Sequence, residues 1–124
     1  MKIKAVRAAA ADFVFVVAFV VIGRKSHGHG ESVRGIFSTS WPFLVGLIGG
    51  WLVSRDWKSP TQVLPTGVIV WLLTVALGQI LRVIVGQGTA LPFILVSLAF
   101  LGLFLLGSRI VLGLIDRKLE RSRT

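Results

Sequence analysis

A single carboxylate lies inside a long apolar stretch near the start of the chain. In residues 5–23, Asp12 is accompanied by one other charge, Arg7, near the edge. If a helix enters a bilayer near Ala5, a rise of about 1.5 Å per residue places the Asp12 carboxylate roughly 10 Å deep. An ionisable group at that depth is costly and usually faces a partner inside the protein. Arg109 lies seven residues before Asp116 and returns to a similar depth, so it is the predicted partner.

Two interpretations of Asp12 stay open. In the functional one, Asp12 is a proton- or cation-linked carboxylate in a transport pathway. In the structural one, it forms an ion pair with Arg109 that joins the first span to the fourth and fixes their register.

A second candidate, Arg82, ends a polar stripe on the third apolar segment. Trp71, Val75, Gly78, Gln79 and Arg82 are spaced by three, four and seven residues, so they share one helix face. A stripe that mixes small and polar residues in an apolar helix faces protein or water, not lipid. Arg82 would then line a polar path or reach the headgroups.

The segment 24–35 carries the basic residues of the same predicted side. They are Arg24, Lys25, His27, His29 and Arg34, and Glu31 alone opposes them. Such a positive vestibule could attract an anion. The alternative is that Arg82 pairs with Glu31 or with a lipid phosphate.

The two histidines of this segment invite a metal interpretation. His27 and His29 are two residues apart, and Glu31 could add a carboxylate. Metal sites need three or four preorganised protein ligands, and glycines on both sides leave this loop poorly preorganised. We predict neither a metal nor another cofactor. Because the chain has no cysteine, a disulfide and a thiol nucleophile are excluded.

Small residues on the second and third segments predict close helix packing. Gly46 and Gly50 form a GxxxG motif, and Thr74 and Gly78 offer a comparable surface. The motif could pack inside one subunit or against a second copy.

The composition of the chain indicates that its apolar segments lie in a membrane. The chain has 124 residues, of which 54% are hydrophobic and 15% charged, too apolar for a soluble domain of this size. Residues 36–53, 63–81 and 89–108 carry no charge, and a spanning helix needs about 20 apolar residues. We predict an all-α, four-helix transmembrane bundle, with spans at about 5–23, 36–54, 64–86 and 89–115 in a single domain, 1–124.

Charge placement indicates topology. The net charge is +9, but the basic residues lie at the ends of the apolar runs, so we expect the lipid bilayer as partner and no nucleic acid. Ten Lys and Arg lie on the side of the termini and the middle turn, and four on the other side. The positive-inside rule then places both termini in the cytoplasm.

A short echo suggests two repeated hairpins. Residues 39–44, TSWPFL, resemble residues 89–94, TALPFI. Thr39 and Thr89 would cap helices whose first turns hold Pro42 and Pro92.

The remaining landmarks concern the ends of the spans. Trp41, Trp51 and Trp57 lie near span ends, as in an aromatic belt, whereas Trp71 lies deeper and is expected inside the bundle. Residues 55–60 and 86–88 are predicted turns, and the charged tail 116–124 is expected to continue as an exposed helix.

The chain resembles a family of small four-span prokaryotic membrane proteins known as domain of unknown function 3054. The matching residues are Asp12, Gly23-Arg24-Lys25-Ser26-His27, Thr39-Ser40-Trp41-Pro42-Phe43, Trp71, Gly78 with Arg82, Gly86-Gln87-Gly88-Thr89 and Gly107-Ser108-Arg109. The resemblance covers nearly the whole chain and implies a multi-pass protein of the cytoplasmic membrane. It brings no activity, substrate or cofactor with it.

Two classes of function therefore stay open. The first is a small-solute or ion transporter or channel with a polar path near Asp12 and Arg82. The second is a non-catalytic accessory or assembly subunit, and either class is compatible with a homo-oligomer or a larger membrane complex. We expect no enzyme, because no nucleophile-base set or paired catalytic carboxylates can be assembled.

Overall fold

The computed structural model describes residues 3–26, 33–88 and 91–122. Within these ranges the chain forms four helices, α1 (Ile3–Ser26), α2 (Val33–Ser54), α3 (Val68–Ile84) and α4 (Leu91–Ser122). A 3₁₀ turn (Asp56–Lys58) and a π-helical turn (Val63–Gly67) connect α2 to α3. All four helices, α3 together with its π turn, are long and apolar enough to cross a membrane. The predicted all-α four-helix bundle is confirmed, and α4 continues past Asp116 as predicted.

The helices form a ring in which α1 contacts α2 and α4, and α3 contacts the same two neighbours. Ion pairs Lys4–Glu120 (3.2 Å) and Arg7–Asp116 (2.7 Å) join the start of α1 to the end of α4. We call this the terminal end of the bundle, and the turn at residues 85–88 marks the opposite end. Asp116 is buried by its pair with Arg7, so the tail is less exposed at its start than predicted.

The closest helix pair is α2 with α3. A Cβ atom on Gly46 would lie 2.8 Å from the Thr74 carbonyl oxygen, and one on Gly50 would lie 2.8 Å from the Val70 Cα. Glycine alone allows the two backbones to approach this far. On the same interface Gly78 lies under the Phe43 ring, whose Cε1 would be 2.7 Å from an added Cβ. The structure thus places the GxxxG motif inside one subunit, against α3.

Aromatic and branched side chains fill the middle of the bundle. The Phe19 ring contacts the rings of Phe43, Phe93 and Phe100 at centroid distances of 5.4–5.7 Å. Several core side chains are 0–3% exposed: Val16, Phe19, Phe43, Leu47, Leu101 and Leu105. This core separates the polar groups of the terminal end from those of the opposite end.

The predicted cap at Thr39 and the predicted first-turn position of Pro42 are wrong. Helix α2 begins at Val33, so Thr39 is not a cap and Pro42 lies inside the helix. Proline has no N–H to donate to the carbonyl four residues earlier, that of Ser38. The Gln87 side-chain Nε2 donates to this carbonyl instead, at 2.9 Å. A polar turn between α3 and α4 therefore supplies the donor that Pro42 lacks, and the helix continues through it.

The echoed proline of the fourth span behaves differently. Pro92 lies in the first described turn of α4, where a missing N–H is tolerated, and Thr89 lies outside the described residues. The two prolines thus occupy unequal positions, so the echo does not mark equivalent helix starts. The repeat of two hairpins stays a prediction.

Candidate functional site

The centre of the candidate site is a buried ion pair between α1 and α4. Arg109 Nη1 donates to Asp12 Oδ1 at 2.7 Å, and Arg109 Nη2 donates to Asp12 Oδ2 at 2.8 Å. Both side chains are 0% exposed. Because α1 and α4 run in opposite directions, residues at equal distance from the terminal end meet at one depth. The predicted pairing of Asp12 with Arg109 is confirmed.

A second carboxylate completes the cluster. Arg109 Nη2 also donates to Asp56 Oδ1 at 2.8 Å, and Asp56 is only 4% exposed. Arg55, with φ 53° and ψ 52°, turns the chain sharply after α2 and places Asp56 beneath the bundle. Sequence reasoning missed this contact, because an acid between Arg55 and Lys58 is typical of a solvated turn.

Trp51 binds the same cluster. Its indole Nε1 donates to Asp12 Oδ2 at 2.8 Å, so its predicted place in an aromatic belt is wrong. A buried indole N–H needs an acceptor, and the Asp12 carboxylate still had an unused lone pair. Trp71 does pack inside the bundle as predicted, donating to the Leu98 carbonyl at 3.0 Å.

The π turn also packs on the cluster. The Gly67 N–H donates to the Gln62 carbonyl at 2.9 Å, and a Cβ on Gly67 would lie 3.0 Å from Arg109 Cδ. The backbone of the α2–α3 connection therefore covers the aliphatic stem of Arg109. We call Asp12, Trp51, Asp56 and Arg109 the ion cluster.

The ion cluster is unbalanced in charge. One guanidinium faces two carboxylates, so the cluster carries a net charge of −1 when both are ionised. Burial raises the pKa of Asp56 above its ordinary value of 3.8, the bonds to Arg109 oppose that shift, and the charge on Asp12 adds to it. Asp56 is thus a carboxylate disposed to bind a proton.

This raised pKa predicts how Asp56→Asn changes stability with pH. The folded protein binds more protons than the unfolded chain above pH 3.8, so ionisation of Asp56 lowers the free energy of unfolding as pH rises through that window. Asparagine keeps an oxygen acceptor for Arg109 and removes the charge. We expect melting temperatures in detergent, measured from about pH 4 to about pH 8, to diverge in favour of Asp56→Asn as pH rises. A variant that melts lower than the parent by a growing margin at high pH would contradict this assignment.

A cavity of about 370 Å³ borders the ion cluster at the terminal end. Arg109 and Ile110 line its inner wall, and the exposed side chains of Lys4 and Glu120 stand at its rim. Gln62 adds an amide to the wall. The cavity therefore lies between the ion cluster and the charged side chains of the terminal end.

Arg82 lies at the opposite end and does not reach Asp12. Its Nε donates to the Gly88 carbonyl and its Nη1 to Gln87 Oε1, both at 3.1 Å. Its guanidinium also lies 4.5 Å from the centre of the Phe93 ring. Gly86 (φ 82°) and Gly88 (φ 74°) give the turn the left-handed backbone that Arg82 binds.

Gln79 and Arg34, two further predicted site residues, lie apart from the ion cluster. Gln79 Nε2 donates to Ser97 Oγ at 2.8 Å inside the bundle. Arg34 is exposed in the first turn of α2. The side chains of Arg24, His27, His29 and Glu31 lie outside the described residues, and so does any pairing of Glu31 with Arg82. Among residues 3–26, 33–88 and 91–122, no three His, Cys, Asp or Glu side chains are grouped to hold a metal ion.

Fold and site together define a multi-pass membrane protein with a buried ion cluster near one end of a four-helix bundle. Residues 9–112 match the family model described as "Protein of unknown function (DUF3054)", and the chain belongs to this family. The resemblance seen in the sequence is thereby confirmed. No curated protein and no solved structure matches the chain significantly.

Proposed function

We propose that the protein is a proton-linked transporter of a small solute or ion and that the ion cluster is its proton site. The supporting observation is a guanidinium shared by two carboxylates, buried in the bundle beside a cavity that has charged side chains in its lining. Ionisable side chains inside membrane proteins are rare and mark ion or proton pathways. Catalysis is not part of the proposal, because both carboxylates of the cluster are bound to Arg109.

Movement of two halves of the bundle, α1 with α4 and α2 with α3, could supply the change of shape that transport needs. Within the described residues, three ion pairs join α1 to α4: Lys4–Glu120, Arg7–Asp116 and Asp12–Arg109. The other half is α2 with α3, whose backbones touch at Gly46 and Gly50. Rocking of one half against the other is a common way to alternate access to a buried site.

The ion cluster lies where the two halves meet. Asp12 and Arg109 belong to the α1–α4 half, whereas Trp51 and Asp56 reach them from the end of α2. Burial raises the pKa of Asp56 in the closed cluster, so Asp56 holds a proton more tightly there than a solvated carboxylate would. Protonation would then favour closure at the terminal end, and loss of the proton, which leaves two carboxylates facing one guanidinium, would favour separation.

The positive-inside rule supports an orientation with both termini in the cytoplasm of a prokaryotic cell. In that orientation the 370 Å³ cavity faces the cytoplasm. On this proposal, the aromatic core between the cavity and Arg82 is the barrier to the outside.

Because the chain has no cysteine, water access can be tested without knowledge of the solute. Leu101→Cys places a thiol in the core at 0% exposure, and Gly113→Cys places one at the cavity. In proteoliposomes, a charged maleimide added from the side opposite the termini should label Cys at position 101 slowly and at a rate that changes with pH. Adding Asp56→Asn should abolish the pH dependence, whereas Glu120→Gln, an exposed carboxylate at the same end, should leave it intact. No labelling at position 101 at any pH, with position 113 labelled only when the maleimide is added from the side of the termini, would reject transport.

A second candidate function is that of an accessory subunit of a larger membrane complex. Its support is the complete engagement of Asp12, whose Oδ1 binds Arg109 and whose Oδ2 binds Arg109 and Trp51. An Asp12 that serves only as a strut predicts that Asp12→Asn lowers the melting temperature in detergent. A transport role predicts a folded Asp12→Asn protein whose pH-dependent labelling is lost.

A further inference from the structure

A groove of about 540 Å³ runs along the outer face of the bundle between α1 and α4. Its walls are apolar, and the stacked rings of Phe15 and Phe104, 5.1 Å apart, close the end that lies deeper in the bilayer. Arg7 stands at the other end, at the level of the Asp116 carboxylate. The groove is therefore apolar along its length and ends at the Arg7–Asp116 ion pair of the terminal end.

Two small residues keep this groove open. A Cβ on Gly107 would meet nothing within 4 Å. The Ser108 hydroxyl donates back to the Leu105 carbonyl at 3.1 Å. The α4 side of the groove is therefore open at Gly107, and the Ser108 hydroxyl is satisfied by the helix backbone.

Arg7 is only partly covered by the protein. Its Nη2 donates to both oxygens of Asp116, at 2.7 and 2.8 Å. Its Nε is buried, but the Arg7 side chain as a whole is 33% exposed, so a phosphate can approach the rest of the guanidinium. A guanidinium binds phosphate in a planar, charge-assisted geometry.

We propose that this groove binds one anionic phospholipid, with an acyl chain along the groove and the phosphate at Arg7. The exposed basic side chains of the same end, Arg117, Lys118 and Arg121, outnumber the exposed acid Glu120, so the field there attracts an anionic headgroup. The proposal does not depend on transport.

The length and chemistry of the groove suit an acyl chain. At about 1.5 Å per residue, the groove from Arg7 to Phe15 is roughly 12 Å long. Part of one acyl chain fits along that length, with its headgroup at Arg7.

Native mass spectrometry of the purified full chain, titrated with phosphatidylglycerol or phosphatidylcholine, tests the proposal. We expect the parent protein to retain one phosphatidylglycerol and to prefer it to phosphatidylcholine at least tenfold. Gly107→Leu, which fills the groove, should weaken binding at least tenfold. Gly23→Leu is the matched control, because a Cβ there also meets nothing within 4 Å, and it should bind as the parent does.

Replacement of Arg7 should reduce the preference for phosphatidylglycerol more than it reduces the number of lipids bound. Arg7→Gln should erase the preference for phosphatidylglycerol while a lipid still binds, and inorganic phosphate should not displace the lipid from the parent. Equal binding by Gly107→Leu and Gly23→Leu, or no preference in the parent, would overturn the proposal. So would a parent dimer that Gly107→Leu converts to a monomer without loss of lipid, because a second copy would then occupy the groove.

Discussion

Replacement of Arg109 by leucine is expected to leave little folded protein in detergent. The change removes the one cation of the ion cluster and leaves Asp12 and Asp56 buried without a counter-charge. Breaking a buried pair in this way costs about 3–5 kcal/mol, a large part of the usual stability of about 5–15 kcal/mol. The measurements are the monodisperse fraction in size-exclusion chromatography and the melting temperature from tryptophan fluorescence.

The control for this experiment is Arg117→Leu, which removes an exposed arginine from the same helix. It should melt close to the parent. Adding Asp12→Asn and Asp56→Asn to Arg109→Leu should recover part of the lost stability, because the uncompensated charges then disappear. Equal melting temperatures for Arg109→Leu and Arg117→Leu would show that the ion cluster does not hold the helices together.

Alanine at position 50 is expected to separate α2 from α3. The added methyl group would lie 2.8 Å from the Val70 Cα and 3.2 Å from its carbonyl oxygen, both of them backbone atoms that cannot rotate away. Overpacking of this kind costs about 1–3 kcal/mol, although alanine itself favours a helix over glycine by about 1 kcal/mol. The expected result is a lower melting temperature for Gly50→Ala.

The adjacent glycine supplies the control. A Cβ on Gly49 would meet only the end of the Leu77 side chain, at 3.1 Å, which can move. Gly49→Ala should therefore melt at or above the temperature of the parent, because alanine favours the helix and the added methyl group meets only a movable side chain. If both variants shift the melting temperature alike, the close approach at Gly50 does not stabilise the bundle.

The four helices could be predicted from the sequence because each apolar run is near the length that crosses a bilayer. The pairing of Asp12 with Arg109 could be predicted for the same reason, since depth along two antiparallel helices is a matter of counting residues. The prediction needed only one acidic and one basic residue at the same depth in the bilayer.

Other contacts depend on the path of the chain between helices, which apolar periodicity does not describe. Asp56 enters the ion cluster because Arg55 adopts a left-handed conformation. The sequence predicts a turn at residues 55–60, but nothing in its composition indicates that conformation at an arginine. The continuation of α2 through Pro42 depends on Gln87, which is 45 residues away in the sequence. Rules for the position of proline in a helix consider only neighbouring residues, so they could not include a hydrogen-bond donor from another loop.

The bond from Gln87 to the Ser38 carbonyl has a practical consequence for engineering. Short surface turns are ordinarily where inserted tags are tolerated best. The turn at residues 85–88 is an exception, because any insertion that displaces Gln87 removes the donor for α2 and the acceptor for Arg82 at once. A reporter placed there would alter the middle of a distant helix, and the effect would be mistaken for a change in membrane topology.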